Sequence, residues 1–518
     1  MLLYKGLMMD NSPERKRLIL TAGVIALAIF LRFFRLGHQS LWIDEVLTIG
    51  SFGPPPPGIP YWKKLLWDVH GPLYSMFMHF WSLAANSEAW LRAPGAAAGV
   101  LSVIFFNKWL RMITDESTAL TGTLFLAISP FSIYYSQEVR FYSFLTLFVI
   151  IALIAYVRFI ERPDKKRAVL LGLAVGVASL SHFMALFLAA GLAVHMAVSG
   201  RMGGRWLRPA ILAAAIALLM VSPWIYRQLY FLRGIEVTGI SEIPDEAKLR
   251  GKLTFTKWSF PYILYAFSTG YTFGPGLRTL REAASGVELL RAHPAPILIV
   301  YLLFGFLAAS GLVKARRRKL LSLILSISAV VLAMVVLAAW LNIKVFNIRY
   351  LVCVFPVFMA VIAIGTPASG RSRVSIILAV VLVMAVADWN YHMVPGYARD
   401  DIRGAARIIE SLEEEGETIL SPGGAQVIMH YYKGGNRIET YAPRFVGTEE
   451  ALRRLAGEIP ARGGLWYVGS RQWDMDPEGV FPELLSSRAD SVMSWNLPGV
   501  KLSRYLFRED GGSDDPVR

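Results

Sequence analysis

Asp44 and Glu45 are adjacent carboxylates in the stretch Ser40-Leu41-Trp42-Ile43-Asp44-Glu45, just after the first hydrophobic run, Leu18 to Phe34. That places two acids at a membrane surface, flanked by Trp42, Arg32 and Arg35. A carboxylate at the edge of hydrocarbon is costly unless it is paired or used. Asp68, His70, Pro72 and Tyr74 follow, setting an acid and an imidazole beside the Asp44-Glu45 face. Carboxylates and imidazoles are the side chains that most often take and return protons in catalysis. The bland alternative for Asp44-Glu45 is a helix N-cap or a surface pair.

These residues need elements to hold them, and composition says which. The 518 residues are 55% hydrophobic and 18% charged, with mean hydropathy +0.46. A water-soluble domain buries its core with less apolar residue. Eleven segments read as membrane-crossing helices: 18–34, 93–110, 117–134, 141–160, 167–181, 183–198, 209–226, 295–313, 319–340, 350–366 and 373–392. Lys5, Arg15, Lys16 and Arg17 precede the first, as in a signal peptide. With no small-x-small cleavage site after it, a retained first helix is expected. Residues 167–198 form one apolar run broken at Ser181-His182. As one helix it would measure roughly 48 Å against a core of about 30 Å. Two short helices with a tight turn at His182 fit better.

The net charge of +15 suggests nucleic acid until its placement is read. Basic residues cluster at Arg158 to Arg167, Arg201 to Arg208, Lys314 to Lys319, and Arg371 with Arg373, each after an even-numbered segment. The positive-inside rule then puts the N-terminus and these clusters in the cytoplasm. The predicted organisation is a transmembrane domain, 1–392, with outer loops at about 35–92 and 227–294, and an outer-face α/β domain, 393–518. In the latter, Arg403 to Leu412 and Glu449 to Gly457 read as helices. Glu417 to Leu420, Leu465 to Val468 and Val500 to Phe507 read as strands. Pro54 to Pro57 reads as a stiff connector, and Glu509 to Arg518 as a frayed tail. The sole cysteine, Cys353, lies in a predicted span, so no intrachain disulfide forms.

The order Arg32-Phe33, Leu36, Leu41-Trp42, Asp44-Glu45, His70-Gly71-Pro72-Leu73-Tyr74, Ser87-Glu88 and Leu91-Arg92-Ala93-Pro94 resembles the protein O-mannosyltransferase superfamily. It looks most like the prokaryotic branch that includes the lipid A aminoarabinose transferases. The resemblance continues through Ser129-Pro130-Phe131, Tyr134 to Tyr142, Ser222-Pro223-Trp224, Tyr265-Ala266-Phe267-Ser268 and Arg349-Tyr350. Where Gly71 stands the family pattern often has a second proline, a departure expected to loosen the turn.

The resemblance implies a GT-C fold: a polytopic α-helical membrane protein that moves a sugar from a polyprenyl-phosphate carrier to an acceptor at the outer face of the cytoplasmic membrane. Asp44 is then the expected base and Glu45 an orienting group. One base with direct displacement implies inversion at C1, whereas retention needs a carboxylate nucleophile. The leaving phosphate needs cations. Arg349, preceded by Lys344, and Arg140 are the candidates. Arg349 otherwise reads as a snorkelling helix-end arginine. Arg140 and Glu138 either pair with each other or bind carrier and acceptor. Expected sugar and substrate contacts are Trp42, Asp68, His70, Tyr74, Glu138, His182, Trp258, Tyr265 and Tyr350, with Tyr262 and Tyr271 as further stacking candidates. A histidine in a tight turn is also a common structural residue. The sugar would sit between outer loop 1 and the 227–294 loop.

No cofactor is expected, and metal independence is the working reading, with a divalent cation at Asp44-Glu45 left open. Asp474-Met475-Asp476 resembles a metal-binding Asp-x-Asp motif, but Pro477-Glu478 after it reads as a helix start. Walker A, His-Glu-x-x-His, paired-cysteine and Trp-Trp-Asp motifs do not occur. Expected partners are the lipid-linked donor, a protein, lipid or glycan acceptor, and membrane lipid. Two rivals remain: a transporter or flippase, for which Asp388 and His195 are the in-span candidates, and a noncatalytic envelope-assembly protein.

Overall fold

The computed structural model describes residues 13–54, 57–58, 60–65, 71–237, 254–283, 285–343, 345–422 and 424–508. Predicted residues Asp68, His70 and Lys344, part of the proline connector and the tail from 509 lie outside them. The principal helices run α1 (Pro13–Phe33), α2 (Ile43–Phe52), α3 (Pro72–Ser82), α4 (Glu88–Ile113), α5 (Glu116–Ala127), α6 (Pro130–Ser136), α7 (Tyr142–Glu161), α8 (Lys165–Ser181), α9 (Met184–Val198) and α10 (Leu207–Val237). They continue as α11 (Ser259–Thr269), α12 (Pro294–Arg317), α13 (Leu321–Trp340), α14 (Phe355–Gly365) and α15 (Gly370–Met393). Every apolar segment of the sequence falls on a helix, the third on the bent pair α5–α6. Among the described residues 6 helices are by themselves long and apolar enough to cross a membrane, and the pair α5–α6, bent by 52°, makes a seventh. The chain is a multi-pass, mostly helical membrane protein. Helices α8, α9 and α14 are shorter, and α1 carries Glu14, Arg15, Lys16, Arg17 and Arg32 within its length.

The described residues fall into two compact units. In the helical unit, side chains start the helices as their types dictate: Asp115 accepts from Thr118 N (2.9 Å) and Asp164 from Arg167 N (2.9 Å). The bend between α5 and α6 has a specific cause. Pro130 stands four residues after Leu126 and has no N–H to give its carbonyl. Arg32 of α1, fully buried, donates instead to Leu126 O (3.1 Å), Ala127 O (2.8 Å) and Ser132 Oγ (2.9 Å). Gln137, at the end of α6, donates in return to Arg32 O and Phe34 O, both at 3.0 Å. Each broken end therefore satisfies the other, as buried backbone groups require.

A second set of contacts ties together helix ends and connections that are distant in sequence. Lys314 Nζ donates to Gly365 O (2.9 Å) and Thr366 O (2.8 Å). Arg373 donates to Thr121 Oγ1 (2.6 Å) and Arg318 pairs with Asp115 (2.7 Å). Partial burial opposes ionisation of Asp115, but Arg318 and the Thr118 N–H and hydroxyl outweigh it and hold the carboxyl at about 2. Its stabilising contribution is thus present above the ordinary carboxyl pKa near 4 and is lost as pH falls through about 2. A chemical-denaturation series from pH 5 to 2 is expected to show this loss in native protein and a flatter curve in Asp115→Asn. The side chains are part-exposed, so the difference is small, under about 1 kcal/mol.

Helices α8 and α9 break at His182, as the length argument requires. At Gly71, where the family pattern often has a second proline, the backbone passes close to α8. A Cβ at Gly71 would lie 2.0 Å from Leu180 O and 2.5 Å from its carbonyl carbon. Its φ of −66° would suit proline, but the α8 backbone occupies the side-chain space. Only glycine fits this close approach to α8. Gly71→Ala is expected to lower the midpoint of thermal unfolding in detergent, consistent with overpacking costs of about 1–3 kcal/mol. An unchanged midpoint would contradict the close approach.

The second unit gathers Gly37–Gly53 with the chain from Tyr391 onward. It contains α2, α16 (Ile402–Leu412), β1 (Thr418–Leu420), α17 (Ala425–Tyr431), β2 (Arg437–Glu439), α18 (Thr448–Glu458), β3 (Gly463–Ser470), α19 (Val480–Arg488), β4 (Ser491–Leu497) and β5 (Val500–Phe507). The sheet order is β2-β1-β3-β5-β4, with β1 parallel to β2 and β3, and β5 antiparallel to β3 and β4. Strand alternation divides β3 between two cores. Trp466 and Val468 join Ile402, Ile409, Ile428 and Leu502 on one face. Leu465 and Tyr467 join Leu455, Phe481, Leu485 and Tyr505 on the other. Ile43 and Val46 of α2 pack against the first core. The carboxylate-bearing turn is therefore built into the α/β unit, although it lies far from it in sequence.

Candidate functional site

Within the α/β unit, α2 begins immediately after Trp42, so Asp44 and Glu45 both lie in its first turn, where carboxylates are favoured by the helix dipole. Their surroundings differ. Glu45 is fully buried (0% exposed), accepts from Trp42 N (3.2 Å) and pairs with Arg399 Nη1 at 2.9 Å. Arg399 is itself 7% exposed. Asp44 is half-buried, and its backbone carbonyl accepts from Thr48 Oγ1 at 2.7 Å. The Glu45 carboxylate is thus committed to an arginine, while Asp44 is the less buried residue of the pair. Trp42 is half-buried and caps the helix through its backbone.

Within the helical unit, Glu138 and Arg140 lie in the loop between α6 and α7, and both are buried. The Arg140 guanidinium sits 5.0 Å from the Phe141 ring and 5.7 Å from the Tyr142 ring. Arg349, half-buried before α14, lies 5.6 Å over Tyr350. Arg140 and Arg349 both act electrostatically on the Tyr142 hydroxyl, as does Tyr350. Glu138 and Arg349 likewise both act on Tyr135, whose hydroxyl is 2.8 Å from that of Tyr271. Glu138, Arg140, Arg349 and Tyr350, separated in sequence, therefore lie within electrostatic range of the same buried tyrosines, Tyr135 and Tyr142. Such a group suits an anion whose remaining oxygens take phenolic hydrogen bonds.

Other expected contacts have local roles. Tyr74 is buried and meets Phe144 edge-on at 5.3 Å. The buried His182 accepts from Met184 N at 3.2 Å and stacks on Phe141 at 4.3 Å, which holds the α8–α9 break against the Arg140 loop. Tyr265 is buried, and its hydroxyl donates to the Phe273 carbonyl. Trp258 is exposed, covered on one side by Lys257 at 5.4 Å. Asp476 accepts from Val480 N (3.0 Å) and Phe481 N (3.3 Å), the helix-start role expected of it, and Asp474 pairs with Arg444 and Arg471. Burial raises the Asp476 carboxyl above its ordinary value.

Sequence reading missed Arg399. The motif Tyr397-Ala398-Arg399-Asp400 carries no periodic or capping signal that points back to residue 45. A lone arginine just past a membrane helix looks like any snorkelling cation.

Residues 69–226 match the family model described as dolichyl-phosphate-mannose-protein mannosyltransferase. The chain is similar to the lipid A galacturonosyltransferase RgtD of Rhizobium johnstonii, 26% identical over 223 residues, or 41% of this chain. That match spans 43% of the relative's length. Among solved structures, ArnT from Cupriavidus metallidurans, bound to undecaprenyl phosphate, superposes with TM-score 0.55 at 13% identity, covering 93% of this chain and 97% of that one. The oligosaccharyltransferase AglB of Archaeoglobus fulgidus, in complex with an inhibitory peptide and a dolichol-phosphate, gives 0.51 at 12% identity, covering 95% and 74%. At such identities the likeness shows the fold.

Proposed function

We propose that this chain, a member of the GT-C superfamily of membrane glycosyltransferases, transfers a sugar from a polyprenyl-phosphate carrier to a hydroxyl acceptor with inversion at C1. The observation that carries this reading is a pair of arginines held over aromatic rings, Arg140 over Phe141 and Tyr142 and Arg349 over Tyr350, both within electrostatic range of Tyr142. A cationic, aromatic-walled group in a helical membrane unit suits a lipid phosphate better than any soluble anion. The acceptor oxygen bonds to C1 as the C1–O bond to phosphate breaks. Its proton passes to the Asp44 carboxylate, and the bonding pair leaves on the phosphate oxygen as polyprenyl phosphate. Arg349, Arg140 and Lys344 bear that charge, and Glu45 orients the turn. In this proposal Glu138, Trp42, Tyr74, His182, Trp258, Tyr265 and Tyr350 serve sugar or acceptor binding, together with Asp68 and His70, which lie outside the described residues.

The chain crosses the membrane eleven times in this reading, α8, α9 and α14 being short crossings and α1 the first. Its N-terminus is cytoplasmic and its α/β unit lies on the outer side of the cytoplasmic membrane. The Lys314, Arg318 and Arg373 contacts support this, since they join connections that the count puts on one side. The two in-span groups that would suit a transporter have packing partners instead. His195 Nδ1 meets the Tyr156 hydroxyl at 2.5 Å, and Asp388 is buried within α15 in electrostatic range of Arg32. The protein in lipid nanodiscs with a panel of labelled polyprenyl-phosphate sugars and hydroxyl acceptors is expected to release polyprenyl phosphate in step with product. Movement of intact carrier across proteoliposomes without release would favour the flippase.

A further inference from the structure

We infer that Arg399 is a positioning residue of the reaction centre, so that the α/β unit supplies part of the catalytic machinery. The inference rests on Asp44 being the base. Buried ion pairs are seldom retained for stability, because desolvation offsets most of the attraction. The Arg399–Glu45 pair, 7% and 0% exposed, therefore calls for another use. Its geometry offers one. Glu45 Oε2 accepts from both Arg399 Nη1 (2.9 Å) and Trp42 N (3.2 Å), so a single oxygen fixes the first turn of α2, from which Asp44 projects.

The rest of the strap repeats that hold. Gln39 Oε1 accepts from Arg399 N (3.2 Å), and Gln39 Nε2 donates to Tyr391 O (3.0 Å). Ser40 Oγ donates to Asp401 Oδ1 (2.8 Å), and Leu41 N donates to the Tyr431 hydroxyl (2.6 Å). Arg403 Nη1 donates to Gly37 O (3.3 Å). Other charged or titratable groups on these segments are His38, the buried His392, Tyr397, Asp400 and, on α17, His430. Of the cations on the strap, Arg403 is spent on backbone carbonyls, while Arg399 faces the carboxylate next to Asp44. With Arg399 in place the charge of Glu45 is compensated and the first turn of α2, which carries Asp44, is held. Without it, a second negative charge lies beside Asp44 and raises its proton affinity.

The test uses the full chain in nanodiscs with the donor the native protein turns over, comparing Arg399→Gln, Arg399→Lys and the double variant Glu45→Gln/Arg399→Gln. Arg399→Gln is expected to lower kcat about 100-fold, the scale of a misplaced catalytic group, with donor KM little changed. The acid limb of its pH–rate profile should move up by about one unit. Arg399→Lys should recover to within about 10-fold of native, and the double variant should regain about 10-fold over Arg399→Gln with the acid limb restored. Equal kcat in native and Arg399→Gln would overturn the inference alone. So would a loss that neither second variant relieves and that leaves the pH profile unmoved, the mark of a purely structural residue. Should Arg399→Gln fail to fold, Arg399→Lys decides: a native kcat and pH profile with lysine supports a positioning cation, and a full loss overturns it. Native protein inactive on every donor and acceptor would overturn the proposed function and this inference together.

Discussion

Asp44→Asn is expected to lower kcat for sugar transfer by about 1,000-fold while donor affinity stays within about twofold. A positioned general base contributes about 10²–10⁴-fold, and a hydroxyl acceptor near neutral pH depends on it fully. Asparagine keeps the shape of the side chain but cannot take the proton. It also keeps the backbone carbonyl to which Thr48 donates, so the first turn of α2 is preserved. The partner residue should behave differently. Glu45 is buried against Arg399, and Glu45→Gln leaves that guanidinium without its counter-charge, so lower expression and a lower unfolding midpoint accompany its loss of rate. Initial rates at saturating donor, together with binding of unreactive polyprenyl phosphate, separate the two. An Asp44→Asn enzyme within about tenfold of native would remove Asp44 from the chemistry.

Arg349→Gln is expected to act on the donor instead. A hydrogen bond to a charged group contributes about 1.5–3 kcal/mol, so affinity for polyprenyl phosphate should fall about 10- to 100-fold. The kcat effect should be of similar size only if Arg349 tightens on the phosphate as the C1–O bond breaks. Arg140 is more deeply held, over Phe141 and Tyr142 in a loop backed by His182. Arg140→Gln should therefore combine weaker donor binding with a lower unfolding midpoint. Titration with undecaprenyl phosphate by native mass spectrometry reads affinity apart from turnover. Unchanged affinity in both variants would show that the phosphate binds elsewhere.

Residue pattern alone located the helices, because a 20-residue apolar run in lipid has few alternatives to a helix. It also located the break at His182, through length. In the α/β unit β3 and β5 were legible as apolar runs, whereas β4, Ser491 to Leu497, was not: its side chains are largely exposed and it is held by β5 across the Pro498-Gly499 turn. The Asp44-Glu45 motif was visible as two charges where charge is costly. The burial of Glu45 against a cation was not, since that depends on Arg399, a contact across most of the chain. Gly71 is a related case. Local turn chemistry favours proline there, and the overriding constraint comes from the α8 backbone at Leu180. In each case the local signal was sound, and what it lacked was the long-range neighbour.

Inverting transfer from a lipid phosphate is tested most directly by the stereochemistry of one turnover. The purified chain is given a polyprenyl-phosphate sugar of defined anomeric configuration, and the glycosidic product is read by NMR. Product of the opposite configuration, formed in step with polyprenyl phosphate, is the predicted result. Product that keeps the donor's configuration would contradict a single base acting in a direct displacement.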